Sequence, residues 1–330
     1  MVILRTEGLN FSFLPCFVWF LPCRSLPLRG VIKKRMKSDE KIISYDMSPK
    51  EKYPSGELFR LRKMPDVFLE EGFRSVHLHT HSFYTVIWFQ GGTGVHYADF
   101  DEYEVKPGTV FFISPGQLHT FDANHEQTGY VLEFGQEFLQ DEVTSESLFL
   151  KYDVFNAYDT LPYRTIDREG SENLQHIVDA IQQEELRNGL FAHHDYLAML
   201  VRLFLITVQR YHRHDESHQA LSITSPQHRH FVKFRQLLEQ HYRQIHSVGQ
   251  YAKMLGISSR TLTSCTLECS NQTPLQLINA RLTLEAKRLL RFTHLSSKEV
   301  GYQLGFEDPS YFVKVFKQKT GLLPLEFRAT

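Results

Sequence analysis

Histidines recur between residues 79 and 119 at a spacing that suits metal chelation. His79 and His81 are one residue apart in a strand-like run, and side chains alternate across a strand, so the two imidazoles share a face. With a third histidine and no carboxylate, they could hold Zn or Fe in an open geometry. A polar cavity that holds no metal is the preferred interpretation, and a metal site is the alternative.

A second group of polar residues follows two matched turns near the end of the chain. Residues 252–257 read AKMLGI and residues 301–306 read GYQLGF, 49 positions later. In each copy a small residue precedes a glycine by four positions, and an apolar residue follows the glycine. The small residue allows two helices to cross closely and the glycine permits the turn between them, which predicts two helix-turn-helix units.

The second helix of each unit would present its first residues to the major groove of DNA. The candidate DNA-binding residues are Ser258, Ser259, Arg260, Thr261, Thr263 and Ser264 in the first unit and Asp308, Ser310, Tyr311, Lys314 and Lys317 in the second. Arg260 is the candidate for a bidentate guanine contact. Lys314 and Lys317 are expected to meet phosphates, which position a protein without reading sequence.

Capping signals mark the helices that must hold these residues. Capping boxes are predicted at Ser247 with Gln250, at Thr273 with Gln276 and at Ser296 with Glu299, and an Asp308-Pro309 cap begins the last recognition helix. A helix over 274–292, with an apolar stripe and four basic residues around it, would hold the two units about 34 Å apart, one turn of DNA. The basic residues are Arg281, Lys287, Arg288 and Arg291.

The remaining patterns predict an α+β protein. Strand-like runs at 75–89, 95–100, 109–113 and 128–134 indicate an antiparallel β-barrel or jelly roll. Apolar residues at helical steps between 171 and 212 predict two helices joined around Asn188-Gly189. The second is apolar over a wide arc, which fits either core packing or a dimer interface.

These patterns divide the chain into segments. We expect a leader at 1–36 outside the folded protein, with Met36 as the natural start and an interfacial anchor as the alternative. After the leader we expect a barrel at 50–140 and a helical extension at 141–212. They are followed by a linker at 213–227 and the helix-turn-helix domain at 228–330.

Charge and cysteine usage fit a DNA-binding end attached to an acidic body. Residues 226–330 hold 15 Lys/Arg against 7 Asp/Glu, whereas residues 38–225 hold 15 against 30. The four cysteines form no CxxC pair, which favours a reducing, cytoplasmic setting.

The end of the chain resembles the AraC/XylS family of bacterial transcription regulators. The motif is VGYQLGFEDPSYFVKVFK at 300–317, followed by Thr320-Gly321 and Pro324. The family normally has alanine where this chain has Gly301. Positions 264 and 267, often basic in related regulators, are Ser264 and Leu267, which implies a weaker phosphate grip by the first unit.

Residues 77–119 resemble the AraC-type cupin sensor, through His79-Thr-His81, Gly94-Val-His96, Pro107-Gly108 and Pro115-Gly116-Gln-Leu-His119. Catalytic cupins place a glutamate where this chain has Thr85. The resemblance therefore favours an effector pocket without metal or other cofactor, and its candidate lining residues are His79, His81, Thr85, His96 and His119.

Together these features predict a sequence-specific transcription regulator, not an enzyme. Its expected partners are double-stranded promoter DNA, an unknown small-molecule effector and RNA polymerase, with a homodimer possible and no membrane. The alternatives are a metal-dependent cupin enzyme fused to a DNA-binding module, and a constitutive regulator whose cupin only dimerises.

Overall fold

The structure is a computed structural model that describes residues 43–45, 59–64, 66–67, 77–121, 126–135, 137–139, 155, 161–187, 189–215 and 225–329. The leader expected at 1–36 lies outside these residues. Within the described part of the chain, every helix is too short or too polar to span a bilayer.

Ten strands form two five-stranded sheets in the described residues. The first sheet has the order β1-β3-β8-β5-β6, with β1 Ile43–Tyr45, β3 His79–His81, β5 Gly94–Ala98, β6 Asp101–Val105 and β8 His119–Thr120. The second has the order β10-β7-β4-β9-β2, with β2 Phe59–Lys63, β4 Tyr84–Gly91, β7 Thr109–Ile113, β9 Thr128–Phe134 and β10 Tyr163–Thr165. All pairs are antiparallel except β1 with β3. The described strands make a jelly-roll-like pair of sheets that leaves the expected barrel open.

The second sheet is buried on both faces, which explains its nearly continuous apolar strands. In β4, Val86 and Trp88 belong to a core shared with two helices, whereas Ile87 and Phe89 belong to a core between the sheets. Alternation across the strand therefore supplies two different apolar environments.

The two expected helices form a hairpin against this sheet: α1 spans Arg168–Glu185 and α2 spans His193–Asp215. Asp167 caps α1 by accepting a hydrogen bond from the Gly170 amide at 2.8 Å. Phe204 and Val208 are buried, but Tyr196, Met199 and Leu203 are 45–62% exposed. The wide apolar arc of α2 thus has a packed side and a solvent-exposed side.

Seven helices build the C-terminal domain. They are α3 Pro226–His241, α4 Val248–Met254, α5 Ser259–Ser270, α6 Pro274–Phe292, α7 Ser297–Gln303, α8 Pro309–Thr320 and α9 Pro324–Ala329. The capping boxes predicted at Thr273 and Ser296 are present, with both reciprocal bonds. The box predicted at Ser247 is wrong: its side chain makes no cap bond, and the Gln250 amide bonds the Ser247 carbonyl instead.

Several predicted boundaries need correction. The strand run 75–89 is two strands, because the chain leaves the first sheet after His81 and enters the second at Tyr84. The sheets also use β1, before residue 50, and β10, which lies inside the segment 141–212 expected to be helical. The expected linker 213–227 overlaps both neighbours, since α2 continues to Asp215 and α3 begins at Pro226.

The sheet domain contacts α6 through the turn between β5 and β6. The Asp99 carboxylate accepts two hydrogen bonds from Arg288, at 2.7 and 2.9 Å. Beside this pair, the Phe100 ring stacks on Phe292 at 5.7 Å and meets Phe327 edge-on at 5.6 Å between centroids. We call this contact of Asp99 and Phe100 with α6 and α9 the interdomain seam.

Candidate nucleic-acid interface and histidine cluster

The first helix-turn-helix unit consists of α4 and α5. Ser258 caps α5 by accepting a hydrogen bond from the Thr261 amide at 3.0 Å, while Leu262 and Cys265 anchor the helix in the core. Five of the six predicted reading residues are exposed: Ser258, Ser259, Arg260, Thr261 and Ser264. Thr263 is half-buried, and its hydroxyl donates to the Ser259 carbonyl at 2.9 Å.

The second unit consists of α7 and α8 and repeats the arrangement. Phe312 and Phe316 are buried, which turns the predicted face of α8 outward. On that face the predicted residues Asp308, Ser310, Tyr311, Lys314 and Lys317 are all exposed. The Asp308 carboxylate accepts a hydrogen bond from the Ser310 amide at 2.8 Å, so it caps the helix.

The segment that leads into the first unit contacts the second unit, in addition to the connection through α6. His246, just before α4, donates from Nε2 to the Leu304 carbonyl in the second turn at 2.8 Å. Its ring lies 4.8 Å from that of Phe306. This contact fixes the segment before α4 against the turn of the second unit, which the twin sequence patterns alone could not indicate.

Two of the arginines of α6 are held in ion pairs within the protein. Arg281 donates to Glu239 at 2.9 Å and to Glu285 at 3.1 Å, and its guanidinium lies over the Tyr242 ring. Arg288 bonds Asp99 in the interdomain seam. Arg281 and Arg288 side chains are each only 10% exposed. Part of the positive charge counted in residues 226–330 is therefore neutralised inside the protein.

The sheets bring four histidines together in what we call the histidine cluster: His79, His81, His96 and His119. All four are at most 6% exposed. Ring centroids lie 4.3 Å apart for His79 and His119 and 4.5 Å apart for His81 and His119. His79 pairs with His119 across neighbouring strands, which explains how residues 40 positions apart meet.

Thr85 lies next to the histidine cluster. Its Oγ1 lies 3.3 Å from Nδ1 of His81. On the strand beside it, Glu133 pairs with Thr85 and forms ion pairs with Arg60 and Arg62. The five predicted lining residues are thus close in space, with a buried ion-paired carboxylate as their neighbour.

Burial lowers the pKa of three histidines of the cluster, which favours their neutral form. It lowers the pKa of His96 to about 3, with His79 as the second cause. Burial also holds the pKa of His119 well below its ordinary value, and the neighbouring His79, His81 and His96 add to the effect. For His81 burial again comes first, followed by His79, Arg62 and Arg60. Neutral imidazoles keep a lone pair that can bind a ligand.

Sequence reasoning missed the interdomain seam. Asp99 has φ +53°, a left-handed conformation that is uncommon outside glycine, asparagine and aspartate. Its position between two short strand runs indicates a turn, but its partner Arg288 lies 189 residues away. No local pattern could have connected the two residues.

Comparisons with known proteins match both parts of the chain. A family model of the AraC-like ligand binding domain matches residues 70–194, and one of a helix-turn-helix domain matches residues 251–330. The transcriptional activator RhaR of Pectobacterium atrosepticum is 23% identical over 269 residues, which cover 76% of this chain and 85% of RhaR. YisR of Bacillus subtilis, an uncharacterized HTH-type regulator, is 31% identical over 110 residues, covering 33% of this chain and 38% of YisR.

Among solved structures, fatty acid-bound ToxT from Vibrio cholerae is 16% identical, with a TM-score of 0.37, and the match covers 82% of this chain and 94% of ToxT. The ligand-binding match spans the histidine cluster and the α1–α2 hairpin, and the helix-turn-helix match begins in α4 and includes both candidate reading helices. This chain belongs to the AraC family of DNA-binding transcription regulators.

Proposed function

We propose that this regulator binds promoter DNA through α5 and α8, placed in two successive major-groove segments, and that a ligand of the sheet domain controls this binding. The observation that carries the proposal is the pair of side-chain-capped helices whose first turns expose polar residues. Such residues meet base edges when a recognition helix enters the major groove.

The two helices are proposed to have different roles. On α5, Arg260 is the only cation among the exposed residues at its N-terminal end, and its guanidinium can bond guanine in a bidentate way. On α8, Lys314 and Lys317 provide the charge for phosphate contacts. The first unit would therefore supply specificity and the second would supply affinity.

The ligand is proposed to act through the interdomain seam. His119 pairs with Ala98 across neighbouring strands, and the next residue, Asp99, holds Arg288 on α6. A ligand that favours one arrangement of these strands would shift the population of arrangements of the two reading units.

Further partners follow from the exposed surface and the family. The exposed side of α2, with Tyr196, Met199 and Leu203, would form a homodimer interface. RNA polymerase is the proposed partner at the promoter, the cytoplasm the proposed location, and binding rather than catalysis the proposed mode of action.

Genomic footprinting with the full-length protein tests this proposal. We expect protection of two short segments about one helical turn apart, roughly 34 Å. Protection should be lost in the double variant Lys314→Ala/Lys317→Ala and retained in Lys298→Ala, which removes a charge outside the reading face. Uniform coating of DNA without discrete footprints would contradict sequence-specific binding.

A further inference from the structure

We infer that His79, His81 and His119 form a binding site for one divalent transition-metal ion of the zinc class. The three side chains offer one ring nitrogen each, and these nitrogens all lie within 4.8 Å of one another. The inference deepens the proposed function, on which its regulatory meaning rests, by naming the ligand class of the sheet domain. The sequence favoured a cavity without metal; the packing of the rings points to an ion.

A hydrogen bond determines which ring nitrogen of His79 carries the lone pair. Its Nδ1 lies 2.7 Å from the His77 carbonyl, which can only accept, so Nδ1 carries the proton. Nε2 is then the nitrogen with the lone pair. A backbone carbonyl that holds the outer nitrogen of a histidine in this way is the usual second-shell partner of a metal ligand.

Spacing within the site matches a tetrahedral ion. Nε2 of His119 lies 3.2 Å from Nε2 of His81 and 3.3 Å from its Nδ1. Zinc–nitrogen bonds of about 2.0–2.1 Å at tetrahedral angles place two ligand nitrogens about 3.3–3.4 Å apart. Thr85 lies 3.3 Å from Nδ1 of His81 and can hold that nitrogen while Nε2 faces the ion. His81 and His119 are therefore already close to the separation that shared coordination requires.

The short distances between the histidine rings favour a metal ion over an organic molecule as the ligand. The rings of His79, His81 and His119 are separated by only 4.3–4.9 Å between centroids. Phe83 stacks on His81 at 4.5 Å and closes another side. An organic effector would have to push these rings apart, whereas an ion fits between their nitrogens.

Unpartnered buried nitrogens give a second, independent indication of a ligand. His96 is 0% exposed, and neither of its ring nitrogens has a hydrogen-bond partner in the described residues. Its ring lies 5.4 Å from that of His119. Buried polar atoms without partners are rare in native proteins and often mark bound ions or water. Neutral imidazoles without a thiolate suit zinc and its neighbours in the first transition row.

Metal binding is tested with the full-length protein after chelator treatment, by calorimetric titration with Zn²⁺ and by visible absorption with Co²⁺. We expect one tightly bound ion per chain and the intense d–d absorption of tetrahedral Co²⁺. His119→Gln and His81→Gln should weaken binding by at least about 100-fold, beyond the 10–100-fold typical of losing a second-shell partner. Circular dichroism of the metal-free variants checks that they remain folded.

Two controls separate this site from adventitious ones. His176→Gln changes an exposed histidine of α1 and should leave binding unchanged. His212→Gln/His214→Gln, in the histidine-rich stretch after residue 211, should also leave it unchanged; loss of the ion in this variant would overturn the inference.

X-ray absorption of the zinc-loaded wild type provides the readout if a variant fails to fold. Three imidazole nitrogens at about 2.0–2.1 Å support the site, whereas sulfur at about 2.3 Å would place the ion on cysteines and overturn it. Absence of stoichiometric binding would also overturn it. Because none of these measurements uses DNA, a negative result here leaves the footprinting test of the proposed function independent.

Discussion

Arg288 grips Asp99 with two parallel hydrogen bonds across the interdomain seam, and both side chains are at least nine-tenths buried. The pair joins α6, which connects the two reading units, to the turn that follows β5. The charged partner that remains near Arg288 is Glu285, at 3.7 Å. The sheet domain is thus held to the DNA-binding domain by a specific charge pair.

Asp99→Asn should destabilise the folded protein by about 3 kcal/mol, the lower end of the range for breaking a buried ion pair. Asparagine tolerates the left-handed backbone of residue 99, so the change isolates the charge. Urea unfolding of the full chain measures the effect, with Asp101→Asn, at the first residue of β6, as the control. A loss below about 0.5 kcal/mol, typical of surface changes, would show that the pair contributes little.

The twin glycines of the two turns should respond differently to alanine. Both have positive φ, +67° for Gly256 and +80° for Gly305. An added Cβ meets nothing within 4 Å at Gly256, but lies 1.9 Å from the Arg243 carbonyl oxygen at Gly305.

We therefore expect Gly256→Ala to cost about 1–2 kcal/mol, from backbone conformation alone. Gly305→Ala should cost about 4 kcal/mol or more, because the second turn must move away from the Arg243 backbone in the connection between α3 and α4. Comparing the unfolding free energies of the two variants measures the difference. Equal losses would mean that the contact between Gly305 and Arg243 relaxes without cost.

The variants Arg260→Ala and Lys317→Ala should distinguish base recognition from phosphate binding. Loss of the arginine should cost about 1–3 kcal/mol of discrimination at one base position. Loss of the lysine should weaken binding to all sequences alike and reduce the slope of log K against log salt by about one. Affinities for a set of single-base operator variants, measured at several salt concentrations, distinguish the two patterns. A uniform loss for Arg260→Ala would assign it to a phosphate.

Acid should weaken the C-terminal domain through Glu285. Burial raises the pKa of this carboxyl, but Arg281, Arg288 and Arg243 outweigh burial and leave the pKa below its ordinary value of 4.5. The stabilisation is therefore present above about pH 4.5 and is lost as pH falls through the lower pKa of the folded state.

The matched variant is Glu285→Gln, which cannot titrate at this position. Its unfolding free energy should be lower near neutral pH and should fall less steeply below about pH 4.5 than that of the wild type. Unfolding curves collected across the acidic range provide the comparison. Parallel pH profiles for the two proteins would mean that Glu285 has the same pKa in the folded and unfolded states.

Local signals predicted the helical domain well. Thr273 with Gln276 and Pro274 define the start of α6 because capping bonds involve only neighbouring residues. The apolar spacing of α5 and α8 likewise identified which residues face outward. Ser247 shows the limit, since a capping sequence does not determine whether the side chain or the carbonyl accepts the bond.

Features that depend on distant partners were not predictable. The sequence places Arg281 and Arg288 beside the apolar stripe of α6, and only folding brings Glu239 and Asp99 to them. Similarly, H-x-H spacing placed His79 and His81 on one face, but the distance to His119 depends on the pairing of β3 with β8. Long-range charge pairing and strand order set these parts of the site.

The contacts of Phe100 in the interdomain seam matter when the DNA-binding domain is produced without the sheet domain. Its ring covers Phe292 and Phe327, which belong to the DNA-binding domain. Cutting the chain after residue 225 would bring both rings and Arg288 into contact with water at the same surface. The excised domain would then tend to self-associate, and it would be a poor reference for the DNA affinity of the intact regulator.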